Sequence, residues 1–138
     1  MGKKDDKVSL LLWIKGNKYL LLKRDKDEHQ HSEKWGLPGG RFDDDENKEE
    51  ALEREVKEEM GVSIKNRDYK YLDKYPKDNK DVYVFYLEDD DIDLKDITLS
   101  EEHGNVQFFT YKEILDLKKD AIPSNLEFIK DYHKVKGK

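Results

Sequence analysis

A chain of 138 residues fits one domain spanning residues 1–138, because it is long enough for a core but too short for two. Its 33 acidic and 27 basic residues give a net charge of −6, which argues against a broad nucleic-acid-binding surface. The lack of cysteine excludes disulfides and thiolate metal sites, and no apolar stretch approaches the roughly 20 residues that span a membrane.

The first predicted elements are two strands, Val8 to Ile14 and Lys18 to Lys23. The Gly16-Asn17 pair between them is a sound signal for a tight hairpin turn. Both runs are almost continuously apolar. Such runs are typical of strands covered on both faces, as in a sheet that lies between layers of helices.

The next segment, residues 25–33, is predicted to be a polar loop. It leads into residues 35–40, whose sequence WGLPGG combines an aromatic residue, a proline and three glycines. Glycines at this density allow the backbone to approach a ligand closely. The alternative interpretation is a plain surface turn.

A helix is predicted from about Asn47 to Met60, and Gly61 is suited to cap its end. At about 100° per residue, its inward stripe contains Leu52 and Val56 as well as Met60. The apolar arc of this helix is interrupted by carboxylates.

Seven glutamates lie from residue 46 to residue 59, and a solvated helix with pairs such as Arg54 and Glu58 at four-residue spacing is the simpler interpretation. It explains Glu49, Glu50 and Glu53 well. Glu55 and Glu59, however, fall within the apolar arc, and Glu58 lies just beyond it. Crowded carboxylates at the edge of a core repel each other and lose hydration unless a cation lies among them. Hard oxygen ligands favour Mg²⁺ or Mn²⁺.

Strands are also predicted at residues 69–75 and 81–87, joined by a turn at residues 76–80. Residues 88–96 form an acidic loop that we expect to be solvated. A last short strand follows at residues 106–109.

Two helices are predicted near the end of the chain. Thr110 and Glu113 form a capping-box signature that opens a short helix through Leu117. Pro123 suits the first turn of a final helix. The apolar residues expected to face inward on that helix are Leu126, Ile129 and Val135.

Residues 40–62, with the sequence GRFDDDENKEEALEREVKEEMGV, resemble the signature of the Nudix hydrolase family. That signature is a glycine, five residues, a glutamate, seven residues, then Arg-Glu-hydrophobic-any-Glu-Glu-any-Gly-hydrophobic. Residues 35–39 also resemble the family's usual lead-in, and the order of strands and helices is similar to the family's over nearly the whole chain. The matched positions are Gly40, Glu46, Arg54, Glu55, Val56, Glu58, Glu59, Gly61 and Val62.

The resemblance implies an α/β (α+β) fold, a Nudix-type α/β/α sandwich with a mixed β-sheet and a loop-helix-loop catalytic motif. It also implies hydrolysis of a phosphoanhydride bond with Mg²⁺, or Mn²⁺ as a substitute. A carboxylate would take the proton of the attacking water, and the candidates are Glu55, Glu58 and Glu102.

The matched positions imply a role for each charged residue of the motif. Glu55 and Glu59 correspond to the principal metal ligands, and Glu58 to a further ligand or a holder of bound water. Arg54 would orient the catalytic carboxylate. Glu46 would help fix the loop to the helix.

The family resemblance also points to groups outside the helix. A backbone carbonyl around Gly39 or Gly40 would complete the coordination. Many members add a glutamate just before a histidine ahead of the last strand, and here Glu101, Glu102 and His103 precede that strand. Glu102 is the predicted ligand and Glu101 the reserve, with a solvated loop as the alternative.

Substrate contacts are predicted for residues near the glycine-rich segment. Arg24 and Arg41 could contact phosphate or base, while Trp35 or Tyr83 could stack on a nucleobase. Each is equally compatible with an ordinary surface or core position.

The favoured substrates are nucleoside triphosphates, including damaged nucleotides, because the short chain resembles the MutT-like pyrophosphohydrolases. The runner-up is ADP-ribose or another nucleoside diphosphate sugar, for which Pro76 gives only weak support because turn chemistry explains it as well. A third hypothesis is a non-catalytic nucleotide-binding sensor, although such domains usually show a damaged signature.

We expect a cytoplasmic protein that acts as a monomer or homodimer on a small-molecule nucleotide. Neither a nucleic-acid polymer nor a membrane is an expected partner. Residues 1–6 and 136–138 are expected to be flexible tails.

Overall fold

A computed structural model describes residues 6–26, 32–77 and 79–136 of the chain. Within these ranges, short 3-10 turns lie at Leu94–Asp96 and Lys118–Asp120. The strands and helices follow in the order β1 (Asp6–Lys15), β2 (Lys18–Arg24), β3 (Trp35–Gly36), β4 (Gly39–Arg41), α1 (Lys48–Met60), β5 (Lys70–Lys77), β6 (Lys80–Glu88), β7 (His103–Thr110), α2 (Tyr111–Leu117) and α3 (Pro123–Lys136).

Several predicted segments lie partly outside the described residues. They are most of the two tails (residues 1–5 and 137–138), residues 27–31 of the polar loop and residue 78 of the turn at 76–80. Two residues that were predicted to belong to the flexible tails lie in regular structure instead, since Asp6 begins β1 and Lys136 ends α3.

The strands form one mixed sheet in the order β3-β2-β1-β6-β5. β1 pairs in parallel with β6, with Val8 opposite Val82, and antiparallel with β2 and β4. β7 pairs with β2, which brings His103 opposite Arg24. This mixed sheet confirms the predicted fold class.

The hairpin between β1 and β2 has the predicted two-residue turn. Ile14 lies opposite Tyr19, and Gly16 adopts a φ of +63° in the turn. A positive φ costs glycine little because it has no Cβ. The tight turn therefore confirms the signal in the Gly16-Asn17 pair.

Two apolar cores lie on opposite faces of the sheet, so β1 and β2 are buried on both sides as predicted. On one face, β1 residues such as Leu10 pack with α2 and α3, whose buried side chains are Ile114, Phe128, Ile129 and Tyr132. On the other face, β1 residues such as Trp13 pack against α1 through Leu52, Val56 and Met60.

Helix α1 is defined at both ends by its sequence. Asn47 and Glu50 form a reciprocal capping box, and Gly61 adopts the left-handed conformation with a φ of +70°. The start of the helix is also tied to the sheet, because the buried hydroxyl of Ser9 donates to the carbonyl oxygen of Lys48 at 2.9 Å. These contacts fix the helix that carries the glutamates.

The acidic segment after β6 was predicted to be a solvated loop, and the structure corrects this prediction. The Asp89 carboxylate accepts hydrogen bonds from Arg67 at 2.5 Å and from the Trp13 indole at 3.3 Å, and it is only 9% exposed. Ile92 is buried against the same core. The loop is therefore anchored by charge pairing and apolar burial together.

Three further predictions need correction. Val135 is 68% exposed, because the last turn of α3 extends beyond Tyr132, its last core residue. Pro76 belongs to β5 and not to a turn, and a strand at the end of the sheet tolerates its missing N–H. The turn-rich segment at 35–40 contributes the short strands β3 and β4.

Candidate active site

Arg54 joins the loop before α1 to the helix. Its Nε donates to Oε2 of Glu46 at 2.7 Å, and its Nη2 donates to Oε1 at 3.1 Å. Nη2 also donates to the carbonyl oxygen of Arg41 at 2.8 Å. The hydrogen bonds from Arg54 lower the pKa of Glu46, which therefore stays ionised.

The same guanidinium reaches two glutamates of the cleft. Nη1 lies 3.3 Å from Oε2 of Glu55 and 3.1 Å from Oε1 of Glu58. Hydrogen bonds to Glu46 and Glu58, together with the charge of Glu55, raise the pKa of Arg54. Arg54 is thus a fixed cation that orients carboxylates on both sides of it.

Glu59 is an acidic side chain buried at the inner end of the cleft. It is 6% exposed, and its Oε1 accepts a hydrogen bond from the Gly39 N–H at 2.8 Å. Burial raises its pKa well above the ordinary value, and the charges of Glu55 and Glu102 raise it further. Burial likewise raises the pKa of Glu55. Without a cation, this group of carboxylates opposes its own ionisation.

Two glycines let the backbone approach these carboxylates. A Cβ on Gly40 would lie 2.5 Å from the carboxyl carbon of Glu55. Gly39 has a φ of +133°, and a Cβ there would lie 2.1 Å from the carbonyl oxygen of Ser9. Glycine is therefore required sterically at Gly39, where a Cβ would meet backbone, whereas a Cβ at Gly40 would displace the end of the Glu55 side chain.

A second loop is tied to the C-terminal end of α1. The Ser100 N–H donates to the carbonyl oxygen of Glu59 at 2.9 Å, and the Thr98 N–H donates to that of Met60 at 2.9 Å. This loop leads to Glu101 and Glu102, which line the same cleft as Glu55. The structure thus brings Glu102 to the glutamates of the helix.

His103 lies deeper than its neighbour Glu102. The imidazole is 9% exposed, and its buried Nδ1 has no hydrogen-bond partner among the residues that the structure describes. Burial, with the charge of Arg24, lowers the pKa of His103 to about 4, so the ring is neutral.

Two adjoining cavities meet at the glutamates. The carboxylate cleft has a volume of about 700 Å³, and among its lining residues are Arg41, Glu55, Glu58 and Glu102. A second, more apolar pocket of about 450 Å³ lies next to it, lined by residues such as Leu10, Leu37, Val82 and Phe128. The residues common to both cavities are Arg24, Gly39, Gly40 and Glu59.

The two aromatic residues considered for stacking line neither cavity. Trp35 packs edge-on against Phe109 with ring centroids 4.8 Å apart, and Tyr83 packs against Phe42. Both side chains thus have packing partners outside the cleft.

Asn125 is a buried polar residue of the apolar pocket that the sequence analysis missed. Its Oδ1 accepts a hydrogen bond from the Leu37 N–H at 2.9 Å, which directs the amide toward the glycine-rich segment. A signal was present, since Asn125 begins a stripe of buried residues at helical spacing that continues with Phe128, Ile129 and Tyr132.

The donor set of the cleft fits a hard divalent cation. Glu55 and Glu59 line the same cleft, and both carboxyl groups have raised pKa values. Gly40 lines this cleft as well, so its backbone offers a carbonyl oxygen as a further donor. Carboxylates that resist joint ionisation become compatible once a cation lies among them. An anionic ligand could then approach through the cavity that contains Arg24 and Arg41.

Comparison with known proteins gives one family match. A family model described as NUDIX domain matches residues 3–132. A search of curated proteins found no match.

Solved structures with a similar fold include three with TM-scores near 0.75. The MutT protein from Methanosarcina mazei Go1 has a TM-score of 0.76 and 24% identity, over 100% of this chain and 99% of that one. The E. coli ORF135 protein has a TM-score of 0.74 and 18% identity, over 95% and 90%. A bifunctional NMN adenylyltransferase/ADP ribose pyrophosphatase from Francisella tularensis, complexed with AMP and a manganese ion, has a TM-score of 0.76 and 20% identity, over 94% and 41%.

Proposed function

The chain belongs to the Nudix hydrolase family, and from this premise we propose that it is a Mg²⁺-dependent pyrophosphohydrolase of nucleoside triphosphates. Its products would be a nucleoside monophosphate and pyrophosphate, and damaged nucleotides are among the proposed substrates. The observation that carries this proposal is that the half-buried Glu55 and the buried Glu59 line one cleft and both have raised pKa values.

We assign the ligand roles by position in the cleft. Glu55 and Glu59 would hold the cation, with Glu58, Glu102 and the carbonyl of Gly40 as further ligands. Mn²⁺ would substitute, since it prefers the same oxygen donors. When bound, the cation would neutralise phosphate oxygens and lower the pKa of water at the site.

The protein groups supply the rest of the reaction. Arg54 holds Glu55 and Glu58 in place, and either of these or Glu102 would accept the proton of the attacking water. Arg24 and Arg41 would bind the phosphate oxygens that the cation leaves exposed. The phosphoanhydride bond then breaks as water attacks phosphorus.

The apolar pocket supports a nucleotide as substrate. A nucleobase is a flat apolar group with polar edges, and the pocket offers apolar walls with the buried amide of Asn125. The pocket joins the carboxylate cleft at Arg24 and Glu59. A nucleotide could therefore place its base in the pocket and its phosphates among the glutamates.

ADP-ribose or another nucleoside diphosphate sugar is the second candidate substrate. Lys77 and Lys80 also line the apolar pocket, and these donors suit a polar second half of the substrate. The Francisella tularensis protein, which has a similar fold, carries the ADP ribose pyrophosphatase name. A non-catalytic sensor is less well supported, because each charged position of the signature is present.

No helix in the described part of the chain is long and apolar enough to cross a membrane. We propose a cytoplasmic location, a monomeric or homodimeric state, and small nucleotides as the partners. The net charge of −6 argues against a nucleic-acid polymer.

A substrate panel with identified products tests this proposal. The protein is incubated with Mg²⁺ and with nucleoside triphosphates, oxidised triphosphates or ADP-ribose, and the products are separated by anion-exchange chromatography. Nucleoside monophosphate plus pyrophosphate supports the triphosphate assignment, while AMP plus ribose phosphate supports the alternative. Binding without turnover on every substrate would favour the sensor.

A further inference from the structure

The mechanism above leaves one buried group of the adjoining apolar pocket without a role. His103 is 9% exposed, and its Nδ1 has no hydrogen-bond partner in the described part of the chain. Buried polar atoms in folded proteins are nearly always paired, so an unpaired one calls for an explanation. A ligand bound at the imidazole would supply that partner.

The imidazole lies beside two carboxylates. One ligand atom each from Glu59, Glu102 and His103 lie within 4.8 Å of one another. Small side-chain rotations would bring all three to the roughly 2.1 Å that separates a divalent cation from its nitrogen and oxygen ligands. Glu59 comes from the helix, Glu102 from the loop before β7, and His103 is the first residue of β7.

Backbone hydrogen bonds hold these three residues together. The Ser100 N–H donates to the carbonyl oxygen of Glu59 at 2.9 Å, and the His103 N–H donates to the carbonyl oxygen of Ser100 at 3.3 Å. The loop is thus attached to Glu59, which supplies one of the three ligand atoms. This arrangement exists before any cation binds, which lowers the ordering cost of binding.

We propose that Glu59, Glu102 and His103 form a distinct cation position that has a nitrogen ligand and binds Mn²⁺ or another transition metal in preference to Mg²⁺. Imidazole suits transition metals, whereas Mg²⁺ favours oxygen ligands and water. The inference rests on the proposed function of the cleft as a metal site. The added position would share Glu59 and Glu102 with the all-oxygen one at Glu55 and would differ from it in its nitrogen ligand.

Pulsed electron paramagnetic resonance of the Mn²⁺-loaded protein tests the nitrogen ligand. In the wild-type chain, we expect electron spin echo modulation from a directly bound ¹⁴N nucleus. His103→Gln should remove this modulation and lower the affinity of the position for Mn²⁺ by about tenfold or more in calorimetric titrations. Affinity for Mg²⁺ should change much less, because an oxygen from glutamine or water can replace the imidazole.

A matched control is His133→Gln, since His133 stacks on Tyr111 in α2 and lines a separate surface cavity. It should leave both the modulation and the Mn²⁺ affinity unchanged. His103→Asn, with circular dichroism of each variant, separates loss of a ligand from loss of the fold.

The outcomes distinguish this inference from the proposed function. Mn²⁺ that binds the wild-type protein without nitrogen modulation, or modulation that persists in folded His103→Gln, overturns the His103 ligand alone. A wild-type protein that binds neither Mn²⁺ nor Mg²⁺ overturns the metal site as a whole.

Discussion

Arg54 donates two hydrogen bonds to the carboxylate of Glu46, eight residues earlier in the chain, at 2.7 and 3.1 Å. The remaining nitrogen of the guanidinium reaches Glu55 and Glu58. One planar group therefore aligns the loop before α1 with two glutamates of the cleft. Lysine has a single ammonium and cannot reproduce this geometry.

Arg54→Lys should consequently lower kcat by about tenfold to 100-fold, because small displacements of catalytic groups are costly. The measurement is steady-state hydrolysis of the best substrate at saturating Mg²⁺. Arg67→Lys is the control, since Arg67 pairs with Asp89 outside the cleft. It should affect thermal stability but not kcat, and equal losses of kcat in both variants would contradict the role of Arg54.

Glu59→Gln should reduce kcat/KM by roughly 100- to 1,000-fold, because it removes a ligand charge worth several kcal/mol to the transition state. The control is Glu49→Gln on the same helix, whose side chain is 44% exposed and lies outside the cleft, and it should stay near the wild-type rate. Turnover of Glu59→Gln close to wild type at saturating Mg²⁺ would rule out the metal site.

Although Glu59→Gln should lower activity, it should stabilise the metal-free fold. Burial raises the pKa of Glu59 in the folded state. Between the ordinary glutamate pKa and this raised pKa, the folded state therefore binds more protons than the unfolded state. Within that pH range, the free energy of unfolding falls as pH rises. With a chelator present at high pH, the free energy of unfolding of Glu59→Gln should exceed that of the wild type by roughly 1 to 3 kcal/mol.

This advantage should shrink as pH falls toward the ordinary glutamate pKa and reverse in saturating Mg²⁺, which binds only the folded state. Urea unfolding at a series of pH values, with and without Mg²⁺, measures both trends. If the difference in free energy of unfolding between the two proteins did not vary with pH, the charge of Glu59 would not destabilise the metal-free protein.

Gly40→Ala should separate activity from stability. The new Cβ would lie 2.5 Å from the carboxyl carbon of Glu55, and the end of this flexible side chain can move aside. The free energy of unfolding should therefore change by only about 1 kcal/mol, while kcat should fall about tenfold or more because the proposed metal ligand Glu55 is displaced. Gly104→Ala, which meets its nearest atom at 3.5 Å, should alter neither.

The helical period of the sequence was enough to predict the three glutamates that α1 contributes to the carboxylate cleft. Placing Glu59 within the apolar arc of α1 predicted a buried carboxylate, and the structure shows it to be 6% exposed. The caps at Asn47 and Gly61 depend on neighbouring residues only, so the ends of α1 were also predictable.

Features that depend on long-range contacts could not be predicted in the same way. Asn125 bonds to the backbone of Leu37, 88 residues away in the chain. The depth of His103 depends on the pairing of β7 with β2, which short sequence windows do not contain. Trp35 was considered for stacking by residue type alone, and its position against Phe109 depends on the same pairing.

The burial of β1 on both faces has a consequence for how the chain finds its register. A slip of one residue would exchange Leu10 and Leu12 with Leu11 and Trp13 between the two cores, and every side chain involved is apolar. Hydrophobicity alone would hardly oppose that error. The short Gly16-Asn17 connection and the large volume of the Trp13 side chain must do so, which makes this hairpin a critical point for correct folding.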